Sequence, residues 1–528
     1  MFCLKKSQLF FLSIASGLLL VASWPVSPFT FCIFFAFVPL LWIAASTTKI
    51  RSFIGYAFLS LLIWNVGTTW WIWNSTDVGS IAAMIANSIL MCVPLWGYFK
   101  LRSKTSALFG SIAFIVYWML FEWIHLNWQL SWPWLTLGNV FATHPNWVQW
   151  YSVTGVSGGT LWILLVNILL FQLLQKHQTS QRISKPLAGI FLAILLLPFM
   201  IGYLSIPTIK AANTSTNVVI VQPNIDPYQK FETLSTQTQI ERLIHLSDSA
   251  MNQQTTLLIW PETALPEPVV QNELNNSPVY QPVFQFIQQH PNITLLTGLE
   301  SYVLYRFEKA TPTAHTMPNG QYYDAFNSAV AIQAGRPNQF YNKSKLVPGV
   351  ESLPTFLNFM GPVFEKFGGT TGGYGRDTAA VVFSETNNPY KMAPIICYES
   401  IYGAYVAEYV KKGANLLTII TNDGWWGNTP GHLQHLAYAR LRAIETRKFV
   451  ARSANTGISA VIDPSGKILT QTDYNKAAVI KFNIPIPATS GSTLYVKWGD
   501  WLYKLAAFTA LLVILYQLFK WWQLKIKR

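Results

Sequence analysis

The stretch that decides the fold reads Ala393-Pro394-Ile395-Ile396-Cys397-Tyr398-Glu399. A short apolar, β-prone run stops at a cysteine, and a polar pair follows at once. This order predicts a buried strand whose end presents a thiol. A cysteine at the end of a buried strand is suitably placed to act as a nucleophile, so Cys397 is a candidate for covalent catalysis.

Two further apolar runs end in residues suited to the same chemistry. Residues 258–264 contain a buried run that ends in the carboxylate of Glu262, and residues 341–348 carry the amines of Lys343 and Lys345. A thiol, a carboxylate and an amine at three strand ends fit acyl transfer. In that reaction the thiolate attacks, the carboxylate takes its proton, and the ammonium stabilises the developing oxyanion.

The composition is that of a membrane protein. Hydrophobic residues make up 51% of the 528 residues and charged residues only 11%, which is unusual for a soluble enzyme. The net charge of +14 comes from basic residues that flank apolar runs and form no basic tract. We therefore expect no nucleic-acid partner.

Apolar runs predict eight membrane spans, near residues 8–23, 29–46, 53–73, 79–98, 106–125, 157–175, 187–205 and 505–521. Lysine and arginine cluster in alternate connecting loops, and the long loop 126–156 has neither. By the positive-inside rule, both termini are expected in the cytoplasm and the segment before the last span on the outer side. The first run, preceded by Lys5 and Lys6, also fits a cleaved signal peptide, which would leave this orientation unchanged.

The sequence changes in character between about residues 213 and 487, where short apolar runs alternate with amphipathic stretches. This pattern predicts an α/β domain. We expect seven membrane helices in residues 1–210, the α/β domain in 211–490, and a last span with a basic tail in 491–528. Predicted strands lie at 218–222, 257–260, 294–298, 328–332, 381–383, 394–397, 416–421, 449–454, 458–462 and 478–482. Predicted helices lie at 235–250, 279–290, 401–412 and 432–448.

Cys397 is the one cysteine in the sequence of this outward domain, so no disulfide is possible within it. A lone thiol is often a buried core residue that packs like a small hydrophobe. The polar pair Tyr398-Glu399, and the glutamate and lysine at other strand ends, favour the nucleophile instead.

These motifs, in this order, resemble the nitrilase superfamily, and on this membrane frame they are similar to its apolipoprotein N-acyltransferase family. The resemblance covers nearly the whole chain. The residues that carry it are Ser131-Trp132-Pro133-Trp134-Leu135, Val221-Gln222-Pro223-Asn224-Ile225, Trp260-Pro261-Glu262, Asn327-Ser328, Asn342-Lys343, Leu346-Val347-Pro348, Cys397-Tyr398-Glu399, Thr421-Asn422-Asp423-Gly424-Trp425-Trp426-Gly427, Gln434-His435, the run 439–445 and the run 452–457.

The resemblance implies an αββα sandwich and a Glu-Lys-Cys triad of Glu262, Lys343 and Cys397. Family spacing to a further acidic residue, Glu351, selects Lys343 over Lys345. The implied supporting or substrate-binding residues are Glu351, Tyr398, Glu399, Phe231, Asn327 and Trp425. The implied substrates are a phospholipid acyl donor and a diacylglyceryl lipoprotein acceptor. The implied place is the bacterial inner membrane, with the catalytic domain in the periplasm and no metal or cofactor.

The sequence departs from the family pattern in two places. Residues 348–352 read Pro-Gly-Val-Glu-Ser where the family usually has Pro-Phe-Gly-Glu-Tyr, and Phe231 stands where the family often has tryptophan. A glycine-rich tract, 368–375, follows four phenylalanines and lacks the ending of a phosphate loop. It is either a mobile lid that admits lipid or an ordinary surface loop.

Other patterns have simpler explanations. Residues 155–159 match the nucleophile-elbow pattern of serine hydrolases but open a predicted span, where small residues ease helix packing. His432 and His435 lack the companions of a metal site, so structural roles are favoured. Two rival functions stay open: a membrane-tethered amidase with the same triad, and a transporter or receptor with an inactive outer domain. Few ionisable residues lie in the spans, which disfavours transport.

Overall fold

The computed structural model describes residues 4–102, 104–180, 182–208, 214–353, 357, 373–385, 388–487 and 491–526. The chain forms two compact units. One comprises residues 1–70, 80–206 and 498–528, and the other comprises residues 71–79 and 207–497. Most of the proposed lid, residues 356–375, lies outside the described residues.

The first unit is helical. Within the described residues, seven helices are long and apolar enough to cross a membrane: Lys6–Ser23, Ile50–Asn74, Asp77–Arg102, Ala107–Leu126, Val156–Ser180, Lys185–Leu204 and Trp501–Gln523. Between Leu126 and Val156 the chain forms short turns at Pro133–Leu135, Leu137–Thr143, Pro145–Trp147 and Tyr151–Thr154. Seven of the eight predicted spans are therefore continuous helices.

The exception is the predicted second span, residues 29–46. There the chain forms a 3-10 turn, Thr30–Phe34, and then a nine-residue helix, Val38–Ser46. Pro39 lies in the first turn of that helix, where proline is favoured because the N–H it lacks would have no helical partner. The predicted span is thus present as a shorter apolar helical segment, Thr30–Ser46. Its internal boundary was not predicted because hydropathy does not register a helix start inside an apolar run.

The glycines at 155–159 serve close packing. A Cβ atom on Gly159 would lie 3.0 Å from the Gly138 Cα and 2.8 Å from the Tyr151 Cζ, so only glycine allows this approach. The residues before the motif form a helical turn, Tyr151–Thr154, and not the strand that a nucleophile elbow requires. The packing interpretation of this motif is confirmed.

Glu122 is an ionisable residue within the membrane helix Ala107–Leu126, and the structure gives it a structural role. One carboxylate oxygen accepts hydrogen bonds from the Trp118 indole at 3.1 Å and the Leu137 amide at 2.8 Å. The other accepts from the Tyr503 hydroxyl at 2.7 Å and the Thr160 hydroxyl at 2.8 Å. A fully bonded buried carboxylate ties four segments of the unit together.

The second unit contains two β-sheets. The first sheet has the order β14-β1-β2-β4-β6-β5, with β3 beside β4 and β7 beside β6. Its strands are β1 Thr214–Gln222, β2 Thr255–Ile259, β3 Leu265–Val270, β4 Thr294–Tyr305, β5 His315–Thr316, β6 Tyr322–Ile332, β7 Gln339–Asn342 and β14 Ala478–Ile486. The second has the order β13-β12-β11-β10-β9-β8. Its strands are β8 Phe383–Ser384, β9 Lys391–Ile396, β10 Leu416–Thr421, β11 Phe449–Ala454, β12 Ala460–Ile462 and β13 Ile468–Gln471.

Successive side chains of a strand point to opposite faces of its sheet, and this alternation allows helix, sheet, sheet and helix to stack as four layers. Val218 and Ile220 of β1 face the second sheet in one buried core, whereas Val219 and Val221 lie in another core with the helices Thr236–Ala250 and Gln281–Gln289. The helices Gly403–Lys411 and Pro430–Thr446 join the core of the second sheet. The expected αββα sandwich is confirmed.

The predicted strands and helices of this unit are all present, with shifted ends. Residues 416–421 and 449–454 match β10 and β11 to the residue. Four strands were missed. Strands β5, β7 and β13 are short, and β3 contains two prolines, Pro266 and Pro268, which argue against a strand in a sequence pattern. Strands β9, β10 and β11 are parallel, so their carboxyl ends meet at one edge, and Cys397 follows β9 there.

Candidate active site

Glu262 lies in a tight turn just beyond the end of β2. Pairing with β4 continues past the strand, because the Trp260 amide donates to the Leu296 carbonyl at 2.8 Å and the Gly298 amide to the Pro261 carbonyl at 3.1 Å. A Cβ on Gly298 would lie 2.7 Å from the Glu262 Cα. Glycine is thus required for the turn to approach β4, and Glu262 itself is buried.

Lys343 follows β7 and is buried with its ammonium between two carboxylates. The Nζ atom donates to Glu262 Oε1 at 3.1 Å and to Glu351 Oε1 at 2.7 Å, and the side chain is 1% exposed. Burial works against the charged amine, but Glu262 and Glu351 raise the pKa of Lys343 well above its ordinary value. The group is therefore a fixed positive charge at neutral pH.

Asn327 joins the two carboxylates. Its side-chain amide donates to Glu262 Oε1 at 2.8 Å and to Glu351 Oε1 at 3.1 Å. The backbone amide of Asn422 donates to the other Glu262 oxygen at 3.1 Å, and that of Val347 donates to Glu351 Oε2 at 2.8 Å. Every one of these four carboxylate oxygens has a donor, which fixes their orientation.

Cys397 begins a 3-10 turn, Cys397–Ile401, directly after β9. Its backbone has φ of +49°, a left-handed conformation that is uncommon for a residue with a side chain and recurs at functional sites. Burial and the charge of Glu262 raise the pKa of the Cys397 thiol, while Lys343 acts in the opposite direction. This balance favours the neutral thiol of Cys397 over its thiolate.

Glu399 connects the turn that begins at Cys397 to the segment 343–345, which follows β7. One oxygen accepts from the Ser344 amide at 2.7 Å, the Lys345 amide at 3.2 Å and the Tyr341 hydroxyl at 2.5 Å. The other accepts from the Ile396 amide at 2.9 Å. Burial raises the pKa of Glu399 to about 7, and these hydrogen bonds act to lower it. Glu399 thus sets the distance between β9 and the segment that follows β7.

Comparisons with known proteins identify both parts of the chain. Residues 217–490 match the carbon-nitrogen hydrolase family, and residues 16–169 match the apolipoprotein N-acyltransferase N-terminal domain. An apolipoprotein N-acyltransferase from Chlorobaculum tepidum is 33% identical over 94% of this chain and 93% of its own. The chain belongs to the apolipoprotein N-acyltransferase family. A second relative with that name, from Pasteurella multocida, is 27% identical over 94% of this chain and 93% of its own.

Solved structures of nitrilase-type enzymes are more distant. An amidase from Nesterenkonia sp. is 16% identical with a TM-score of 0.35, over 53% of this chain and 93% of the amidase. Saccharomyces cerevisiae Nit3, a nitrilase-superfamily member, is 15% identical with a TM-score of 0.36, over the same shares of the two chains.

Lys343 and Lys345 were the two candidates for the lysine of the site, and they have different surroundings. The Lys345 ammonium lies 5.3 Å from the ring centre of Tyr402 and 5.5 Å from that of Tyr405. The Lys343 ammonium contacts Glu262 at 3.1 Å. The altered flanks of Glu351 leave its carboxylate in contact with Lys343.

The remaining predicted residues differ in exposure. Tyr398 is buried, with its ring edge-on to Tyr402 at 5.4 Å. Phe231 lies in the short helix Gln229–Glu232 with 47% of its surface exposed, as a lipid contact requires. Trp425 is half-buried and packs edge-on against Tyr228 at 5.4 Å.

Asp423, His435 and Arg452 form a buried polar network near the Cys397 backbone, and their contacts with one another were not predicted from the sequence. His435 hydrogen-bonds Asp423 through Nδ1 at 2.9 Å, and its Nε2 lies 3.2 Å from the Cys397 carbonyl and 2.9 Å from the Ser400 hydroxyl. Arg452 donates to Asp423 at 2.6 Å. Burial opposes the charge of Asp423, but Arg452 and His435 hold the pKa of its carboxyl well below the usual range. An arginine inside the apolar strand β11 was the available signal.

The two histidines of the discarded metal pattern have different surroundings. His435 belongs to the network just described, whereas the His432 ring stacks on Tyr474 at 4.1 Å. In the part of the chain that the structure describes, His, Cys, Asp and Glu form no group of three or more suited to a metal ion.

Proposed function

We propose that this protein moves a fatty acyl chain from a phospholipid to the N-terminal amine of a diacylglyceryl-cysteine lipoprotein, through a thioester on Cys397. Family membership supports the reaction. The observation that carries the residue roles is the buried Lys343 ammonium, paired with Glu262 and Glu351 and within electrostatic reach of Cys397.

In the first half-reaction, Cys397 is acylated. Glu262 takes the thiol proton as the sulfur attacks the ester carbonyl of the phospholipid. The Lys343 ammonium, with the Tyr398 amide, stabilises the oxyanion of the tetrahedral intermediate. The carbon–oxygen bond then breaks, the proton on Glu262 passes to the leaving oxygen, and a lysophospholipid departs.

In the second half-reaction, the acyl chain leaves the enzyme. The neutral α-amine of the acceptor attacks the thioester carbonyl and gives a proton to Glu262. The carbon–sulfur bond breaks, the sulfur regains that proton, and an amide is formed. This is a ping-pong cycle, and neither half-reaction requires a metal ion or an organic cofactor.

The membrane frame suits these two lipid-anchored substrates, because it confines enzyme, donor and acceptor to one surface. We place residues 1–210 and 491–528 in the inner membrane with both termini in the cytoplasm, and residues 211–490 in the periplasm. The alternation of basic loops supports this orientation. Cysteine accessibility labelling from either side of the membrane tests it.

Mass spectrometry of the purified protein with a defined phospholipid tests the reaction. An acyl adduct on the Cys397 peptide, removed by hydroxylamine and absent from Cys397→Ala, is the expected result, and a diacylated lipopeptide should discharge it. Folded protein that forms no adduct with any phospholipid would overturn the proposal. Discharge by water as fast as by lipopeptide would instead indicate the rival amidase-like hydrolase.

A further inference from the structure

Lys230 is a buried lysine outside the predicted set of site residues. Its side chain is 2% exposed. The ammonium donates to the Thr263 hydroxyl at 2.7 Å and to the backbone carbonyl of Glu262 at 3.2 Å. Both acceptors belong to the turn that carries the proposed base. A buried ammonium is costly to keep unless it is bonded, so this placement is specific.

The turn that receives these bonds is strained. Thr263 has φ of +46°, which β-branched residues rarely adopt. The turn also packs against Gly298 of β4, where an added Cβ would collide with the backbone of Glu262 and Thr263. A strained backbone persists only where its surroundings over-determine it, and Lys230 supplies two of the contacts that do so.

The position of the ammonium is itself fixed. The side-chain amide of Gln239 donates to the Lys230 carbonyl at 2.8 Å, which holds the short helix Gln229–Glu232 in place. Burial lowers the pKa of Lys230 to about 7, whereas the nearby carboxyls of Glu262 and Glu300 act to raise it. Glu300 in turn accepts a hydrogen bond from Tyr374 at 2.9 Å.

We propose that Lys230 is a positioning residue, which holds the Glu262 turn in the geometry that the base needs. This inference rests on the proposed role of Glu262 but can be tested without any lipid substrate. An error of about 1 Å in the position of a reacting group can cost on the order of 10²-fold in rate. Lys230→Met keeps most of the side-chain volume and removes the two hydrogen bonds.

The test measures how fast iodoacetamide alkylates Cys397 in the full-length protein in detergent, read at the Cys397 peptide by mass spectrometry. Because the thiol is neutral at rest, its reaction needs the base. Lys230→Met should slow alkylation by ten- to a hundredfold. Glu262→Gln, which removes the base itself, should slow it more. With phospholipid, the same variant should lose kcat and keep KM.

Lys448→Met is the matched control. Lys448 is also buried and donates to a backbone carbonyl, that of Gly491, at 3.4 Å. It precedes β11 and so lies at the opposite end of the parallel strands from Cys397. Its loss should leave the alkylation rate within about twofold of the wild type, because it makes no contact with the Glu262 turn.

Thr263→Val decides the matter should Lys230→Met fail to fold, because it removes one acceptor and keeps the shape. It should slow alkylation about two- to tenfold, and with Lys230→Met the two losses should not add. A folded variant of either kind that alkylates like the wild type would overturn the positioning role. Glu262-dependent alkylation without acyl transfer would overturn the proposed function and leave the role of Lys230 standing.

Discussion

Gly298→Ala tests whether the rate depends on the close contact between β4 and the Glu262 turn. The new Cβ would lie closest to the Thr263 amide nitrogen, then 2.7 Å from the Glu262 Cα and 2.9 Å from the Glu262 carbonyl carbon. Ordinary contacts begin at 3.4 Å, so the turn must move by at least about 0.7 Å, the difference between 3.4 and 2.7 Å. All three neighbours are backbone atoms, which cannot rotate away.

The magnitude follows from that displacement. Overpacking of this kind costs about 1–3 kcal/mol of unfolding free energy. Moving the base by most of 1 Å should slow thioester formation by roughly 10- to 100-fold. Time-resolved mass spectrometry of the Cys397 thioester gives the rate, and thermal unfolding in the same detergent gives the stability.

Gly491→Ala is the control for Gly298→Ala, because no atom of the described residues lies within 4 Å of a Cβ built there. It should match the wild type in both measurements. If Gly298→Ala forms the thioester at the wild-type rate, the turn tolerates the displacement and the geometric reasoning about Glu262 is refuted.

Three further predictions concern charge and exposure. Lys343→Met should lower the rate of single-turnover acylation by about 10²-fold or more. Lys345→Met should keep most of that rate and lose about 0.5–1 kcal/mol of unfolding free energy, measured by thermal unfolding. Asp423 has a depressed folded-state pKa, so its stabilising contribution is complete above its unfolded pKa of about 3.9 and is lost as the pH falls through the folded value. Asp423→Asn should therefore be less stable than the wild type at pH 7, with a gap that narrows in unfolding measurements towards strongly acidic pH. Phe231→Ala should raise the KM for phospholipid in steady-state assays and leave iodoacetamide alkylation of Cys397 unchanged.

Strand ends were the most predictable feature of this protein. Apolar runs of five or six residues define β2, β9, β10 and β11, and parallel strands end at one edge. The strand ends that carry Glu262 and Cys397 could therefore be predicted from sequence alone. Because β2 and β9 lie in different sheets, the family resemblance was needed to assign both residues to one site. The choice of Lys343 over Lys345 needed the family resemblance, because both amines follow the same strand.

The contacts that orient the site could not be predicted in the same way. Lys230 meets Thr263 across 33 residues of sequence, and Arg452 meets Asp423 across 29. No periodicity links such pairs, since their proximity comes from the packing of separate strands and loops. The second predicted span shows the opposite limit, because a long apolar run does not reveal that a 3-10 turn precedes a helix starting at Val38.

The neutral resting state of Cys397 also affects how long the protein remains active. Peroxides and small disulfides consume thiolates far faster than thiols. A buried sulfur beside a carboxylate, with a raised pKa, offers these oxidants little thiolate between catalytic cycles. In an oxidising compartment such as the proposed periplasm, this small thiolate fraction should slow the oxidation of Cys397.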